Sequence, residues 1–163
     1  MDITFRAVHG TFNFRVCAMI IHEGRILAMS DGNSPYFYLP GGRVKMNETV
    51  DAAVLREVRE KLQIEARNVR PLWFNQGFFV EDLSRERYHE VCVYFLMDVS
   101  DTALLSRGDR FTLQEGGRTH EFEWLKFERL KDEYFYPVFL KESIFHLPDE
   151  LTVLENYDLG VGG

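Results

Sequence analysis

Glu48, Arg56, Glu57 and Glu60 fall within one short stretch that opens on the glycine pair Gly41-Gly42 and ends at Ile64. On a helix, positions 57, 60 and 61 stand as i, i+3 and i+4, so their side chains meet on one surface. Two carboxylates within a turn can hold Mg²⁺ or Mn²⁺. Magnesium takes oxygen ligands, keeps several waters, and is commonly bound by one or two carboxylates together with substrate phosphates. Such an ion would neutralise a diphosphate and lower the pKa of a bound water. A nearby carboxylate could then take the proton from that water. Arg56 suits a bidentate hydrogen bond to a carboxylate such as Glu48. Gly41-Gly42 would let the backbone turn sharply beside the site. One residue works against this chemistry: Lys61 places an ammonium where a further carboxylate would complete the cation site.

The elements around the block follow from periodicity. Residues 49–62 read as the clearest helix, with Thr49 able to cap its start and Asp51 suited to the dipole of the first turn. Val50, Val54, Val58 and Leu62 recur at four-residue spacing, with Leu55 close by, and form the stripe expected to be buried. Ala53, Glu57 and Glu60 share a different face, expected to point away from the core. Strand-like runs occupy 14–22, 25–29, 69–74, 77–82, 89–99 and 121–127, with a turn at Glu23-Gly24 and turn-forming residues over 30–35. Residues 100–120 are polar and read as a long loop, a length often associated with function. Tyr136-Pro137 opens a predicted helix that runs to about Phe145. No internal repeat and no linker divides the chain, so a single domain over 1–163 is expected, its tail from about 155 flexible. Strands outnumber helices, which predicts a mixed sheet covered by helices, an α/β fold.

Composition narrows the function classes. With 163 residues, 45% of them hydrophobic, the chain can bury a core of its own. Fourteen Phe, seven Tyr and two Trp argue against disorder over most of the length. The net charge of -7, with no basic run, argues against binding a nucleic-acid polymer, though a metal could still bring a small phosphorylated ligand. Cys17 and Cys92 lie in apolar strand-like runs and read as buried reduced thiols. No apolar run reaches membrane-spanning length and the start shows no signal pattern, so a cytoplasmic setting is expected. The sequon at Asn47-Glu48-Thr49 is set aside for the same reason. The histidines, 9, 22, 89, 120 and 146, show no ligand spacing and suit solvated or strand-edge roles. Trp73, Phe74, Phe78 and Phe79 read as core in preference to a base-stacking surface. Arg15 could reach phosphate, but an exposed ion pair is the preferred reading.

The segment from Gly42 to Ile64 resembles the Nudix box. Gly42, Glu48, Arg56, Glu57, Val58, Glu60 and Ile64 match its pattern, Leu39-Pro40-Gly41-Gly42 looks like its usual lead-in, and residues 121–130 resemble its closing strand. A solvated glutamate-rich helix is the plain alternative, and the joint spacing of these residues argues against it. The resemblance implies a Nudix-type α/β/α sandwich around a mixed β-sheet and metal-dependent attack of water on the pyrophosphate of a nucleoside diphosphate derivative. It implies Glu57 as metal ligand and catalytic base, Glu60 as a second metal ligand, and Glu48 with Arg56 and Gly42 in support. It further implies an acid recruited from a later loop, with Glu121 preferred over Glu115, Mg²⁺ or Mn²⁺ as cofactor, a small phosphorylated substrate, and a homodimer. It assigns no substrate-binding residues.

Two positions depart from the pattern. Gln63 replaces a glycine and carries strain only if its φ is positive. Lys61 replaces a carboxylate, and three readings stay open: a surface i, i+4 pair with Glu57, an outward-swung side chain beside a reduced metal site of Glu57, Glu60 and a later acid, or a cation that itself binds phosphate. The reduced site is the preferred one. A non-catalytic domain that binds a nucleotide-like ligand as a sensor is the alternative function these departures motivate.

Overall fold

The structure, a computed structural model, describes residues 1–158. Strands β1 (Thr4–Ala7) and β2 (Gly10–Met19) pair antiparallel, and β2 buries side chains on both faces. The short β3 (Ile21–His22) and β4 (Arg25–Asp31) flank the expected turn, where Glu23 and Gly24 both take positive φ. After the loop over 32–40, β5 (Gly41–Arg43) pairs antiparallel with β2.

Helix α1 (Val50–Leu62) begins where its cap predicts: Thr49 accepts the Ala52 N–H at 3.1 Å. Val54, Val58 and Leu62 are fully buried, as the four-residue spacing requires. The expectation for the opposite face is corrected. Ala53 and Glu57 are buried too, and only Glu60 of that group is exposed. The buried arc is wider than the apolar stripe because β5 closes over it. The helix ends on Gln63 in the left-handed region, φ 57° and ψ 41°, with its N–H bonded to the Arg59 carbonyl. Gln63 thus carries the strain that the replaced glycine would have avoided. Its side-chain amide donates to the Gln114 carbonyl at 3.1 Å, which offsets part of it.

The two runs 69–74 and 77–82 prove to be one strand, β6 (Arg67–Val80), with register shifts near Asn68–Arg70 and Pro71–Trp73. Strand β7 (Arg87–Asp98) follows. The expected loop at 100–120 is also corrected: it holds a 3₁₀ turn at Leu104–Arg107 and most of a hairpin, β8 (Arg110–Glu115) with β9 (Arg118–Lys126). Phe111 and Leu113 alternate with polar residues, and Gly116-Gly117 both take positive φ, the signature of a tight hairpin turn. The predicted helix at 137–145 shrinks to α2 (Leu140–Ser143), because Leu140 and Lys141 bond to carbonyls three residues back in place of four. Its entry at Tyr136-Pro137 is cis. Strand β10 (Thr152–Asp158) pairs parallel with β6. The tail expected to be flexible from about 155 therefore begins inside this strand, and residues 159–163 lie outside the described residues.

The mixed sheet runs β1-β2-β7-β6-β10, with β5 also on β2, and a second sheet runs β3-β4-β9-β8. Helix α1 packs one core against both sheets, with Val16, Ala18, Phe95, Phe122 and Trp124. On the other face of the mixed sheet, α2 and a 3₁₀ turn at Phe127–Asp132 close a second core containing Met19, Trp73, Leu130 and Leu140. This is the expected α/β/α sandwich. Among the described residues, no helix is long and apolar enough to cross a membrane.

Candidate active site

Glu48 sits in the loop before α1, and Arg56, Glu57, Glu60 and Lys61 project from the helix. Arg56 Nε donates to Glu48 Oε2 at 2.7 Å and Nη2 to Oε1 at 3.0 Å, the bidentate pair that the spacing predicts. Nη2 also donates to the Arg43 carbonyl at 3.0 Å, tying α1 to β5. Nη1 donates to Glu57 Oε1 at 2.8 Å and leans on Glu60 at 3.3 Å. Glu48 additionally accepts the Lys45 N–H at 3.0 Å. The Arg56 hydrogen bonds outweigh the partial burial of the Glu48 carboxyl and, with the Lys45 amide, draw its pKa down to about 2.

The glycine pair acts through close approach. Neither Gly41 nor Gly42 takes positive φ, which corrects the sharp-turn reading. A Cβ on Gly42 would stand 2.4 Å from the Glu57 carboxylate, and one on Gly41 would stand 2.2 Å from the Val16 carbonyl oxygen and 3.2 Å from Cys17 Sγ. The bare backbone of β5 therefore lets Glu57 be 6% exposed yet paired with Arg56 and Lys61.

Lys61 turns inward, which overturns the outward-swung reading. Its side chain is 17% exposed, its Nζ lies 2.9 Å from Glu57 Oε2 and 3.7 Å from Glu115 Oε1. Glu115 in turn meets His120 Nε2 at 2.9 Å. Of the two late acids, Glu115 and not the preferred Glu121 comes near this cluster. On β9 side chains alternate: His120 faces inward and Glu121 outward into solvent, whereas Glu115 at the end of β8 reaches the helix. His120 is 4% exposed, with Nδ1 buried and unpartnered among the described residues, which corrects its solvated reading. Charges thus alternate from Glu48 through Arg56, Glu57 and Lys61 to Glu115. The place of His120 beside Glu115 was missed because the hairpin that buries it went unread. Strict alternation of Phe111, Leu113 and His120 with polar neighbours was the available signal.

A divalent cation can be tested against this donor set. Among the described residues no group of three or more His, Cys, Asp or Glu is gathered to hold a metal. The Lys61 ammonium lies between Glu57 and Glu115, so those two cannot share an ion. Each carboxylate oxygen keeps a second lone pair, and Glu60 is 40% exposed with only a weak contact to Arg56. Glu57 and Glu60 therefore fit one ion that brings phosphate and water oxygens with it, not a cluster.

Beyond β5 lies a cavity of about 580 Å³, within the range of small-molecule sites. Cys17, the residue against Gly41, is part of its wall, so β5 separates this cavity from Glu57. Trp73 is core as expected, but Phe78 and Phe79 line the cavity, a correction to their core reading. Arg15 also lines it, and its ion pair with Glu90 is half-buried, where an exposed one was expected. Tyr36 at the cavity wall has its phenol pushed up to about 12 by burial, with the Glu81 carboxylate adding to the shift. Cys17 and Cys92 are free thiols 3.6 Å apart, and burial pushes the Cys92 thiol up.

Comparison with known proteins follows the same lines. A family model described as NUDIX domain matches residues 12–143. No curated protein matches the chain in sequence. Among solved structures, the mutator MutT protein from Bacillus halodurans is 13% identical, with 90% of each chain covered and a TM-score of 0.62. A NUDIX hydrolase from Nitrosomonas europaea is 15% identical, covering 88% of this chain and 78% of that one, with a TM-score of 0.58. An ADP-ribose pyrophosphatase from Streptococcus suis is 16% identical, covering 90% and 98%, with a TM-score of 0.54. At these identities the three show a shared fold.

Proposed function

The chain belongs to the NUDIX domain family of pyrophosphohydrolases, and on that premise we propose that it hydrolyses the pyrophosphate bond of a nucleoside diphosphate derivative or similar small substrate with the help of Mg²⁺ or Mn²⁺. The observation that carries this reading is the pairing across β5. The missing Cβ of Gly42 leaves room for the Glu57 carboxylate and that of Gly41 for Cys17, a wall residue of the cavity, so a substrate head and a cation-binding carboxylate would share one short strand.

Glu57 and Glu60 would hold the ion. When bound it neutralises phosphate charge and activates a water. Arg56 fixes the Glu57 carboxylate through Oε1, and Glu48 fixes Arg56, so the base is oriented before substrate arrives. Glu57 Oε2 is the atom that would accept the water's proton, and Lys61 Nζ donates to it at 2.9 Å until then. Once substrate is present, the Lys61 ammonium can turn to its phosphate oxygens, the role left open for it by the sequence. Glu115 would take the place of Glu121 as the late acid, acting by holding Lys61. The reading includes one domain over 1–163, a cytoplasmic setting and a homodimer.

One observation favours a second reading: both oxygens of Glu57 are already paired with internal cations, as in a domain that binds a nucleotide without cleaving it. Purified protein would be incubated with Mg²⁺ or Mn²⁺ and nucleotide sugars, dinucleoside polyphosphates, ADP-ribose and nucleoside triphosphates, with Glu57→Gln as control. Metal-dependent turnover that falls at least about tenfold in the variant supports hydrolysis. Absence of turnover across the panel, with one ligand bound, transfers the assignment to the binding module.

A further inference from the structure

Arg15 on β2 and Glu90 on β7 both line the cavity, and the chemistry above uses neither. Their closest approach is 3.6 Å, an ion pair too long to be a hydrogen bond. Among the described residues neither side chain makes a hydrogen bond to any other group, although they are only 30% and 13% exposed. A guanidinium carries five N–H donors and a carboxylate about four acceptor sites. A half-buried couple with that much unmatched capacity is built to be completed by something that enters.

The surroundings say what kind of group that is. Rings from Tyr36, Tyr38, Phe79, Tyr94, Tyr136 and Phe139 form the walls. Gly77, in register with Glu90, leaves the sheet floor without a side chain beside the couple. Arg15 is the single cation among the described lining residues, against Glu81, Asp82 and Glu90. A phosphate group entering here would meet an excess of like charge. A flat, uncharged aromatic ring with polar edges would not, and stacking on such walls is favourable.

We propose that this cavity takes the nucleobase of the substrate, and that Arg15 and Glu90 read its edge, with guanine the preferred base. Guanine alone places two neighbouring acceptors, O6 and N7, beside two neighbouring donors, N1–H and the N2 amino group. The first pair matches the fork of Arg15. The second matches both oxygens of Glu90. Adenine and cytosine each offer a single amino group, and uracil no amino group. Arg15 and Glu90 are thus specificity-determining residues, and the phosphates are left to the acid-rich side of β5 where a cation can meet them.

This inference rests on the nucleotide-hydrolase reading for its ligand class, so the test uses ligands that contain no pyrophosphate bond. GMP, AMP, CMP and UMP would each be titrated by calorimetry into the full chain in the presence of EDTA. GMP is expected to bind at least about tenfold more tightly than AMP or UMP. Arg15→Gln and Glu90→Gln are each expected to weaken GMP about tenfold and to flatten the preference among the four, with thermal midpoints near that of the wild type. Arg15→Lys, which keeps the charge and loses the fork, should lose the preference as well. Equal binding of all four bases, a preference retained in the variants, or no binding of any monophosphate overturns the proposal. GMP binding without turnover of any pyrophosphate would leave the proposal standing and remove the hydrolase reading. Turnover without base preference would do the reverse.

Discussion

Two arginine–glutamate couples in this protein have opposite characters. Arg56 spends all five N–H donors on Glu48, Glu57, Glu60 and the Arg43 carbonyl, and its partners hold it from loop, helix and strand at once. Arg15, beside Glu90, spends none on a hydrogen bond among the described residues. Residue type and half-burial are nearly the same in the two places. The difference is in what the backbone brings to each guanidinium, and it separates a group that finishes the protein's own structure from one that finishes only with a ligand.

The strongest way to break this contrast is to truncate both. Arg56→Ala strands three carboxylates and a carbonyl, and removing one partner of a buried pair costs about 3 kcal/mol or more. Arg15→Ala breaks a longer pair that has no hydrogen bond and is expected to cost less than Arg56→Ala. Urea denaturation of the two variants measures this, and equal losses would erase the distinction. The glycines of β5 sharpen it next. Gly41→Ala drives a Cβ into the Val16 backbone and is expected to cost about 2 kcal/mol in the same measurement. Gly42→Ala meets the movable end of Glu57, so its stability loss should be smaller while turnover falls at least as far as in Glu57→Gln. A Gly42→Ala enzyme with normal turnover would show that Glu57 need not stand where Arg56 holds it.

Lys61→Glu tests whether the inward ammonium limits the cation. Mn²⁺ affinity, followed by electron paramagnetic resonance, is expected to rise about tenfold as a carboxylate replaces the ammonium. Equal affinity in wild type and variant would remove Lys61 from the account. The smallest effect is the pH dependence of the saturated couple. Glu48 has its carboxyl held at about 2, below the ordinary 4.5, so its contribution is complete above about pH 4.5 and is lost as the pH falls towards 2. Acid titration of stability should be flatter over that window in Glu48→Gln, and identical curves would mean that the Arg56 pair does not contribute.

Most of the Gly42–Ile64 block was legible because its relations are local. The cap at Thr49, the buried Val54-Val58-Leu62 stripe and the Glu48–Arg56 pair all depend on spacings of a few residues along one helix and its entry, and backbone geometry determines those without help from the rest of the chain. The family and the α/β/α sandwich could be read for the same reason, from a compact pattern and a succession of strands and helices.

Other features were decided by the tertiary structure alone. Glu115, and not Glu121, stands by the helix because the unread β8–β9 hairpin sets which side of each strand faces inward, and a shift of one residue reverses it. Lys61 points inward because Glu57 and Glu115 converge on it from different elements. Gly41 and Gly42 matter for what packs on them from β2 and α1, not for the turn their sequence suggests. Arg15 and Glu90 stand 75 positions apart and become neighbours only through the parallel pairing of β2 with β7. Local spacing decides what a segment can form by itself. Which distant segments then share a strand register, a wall or a charge is set by long-range packing, and no single stretch of the chain carries that information.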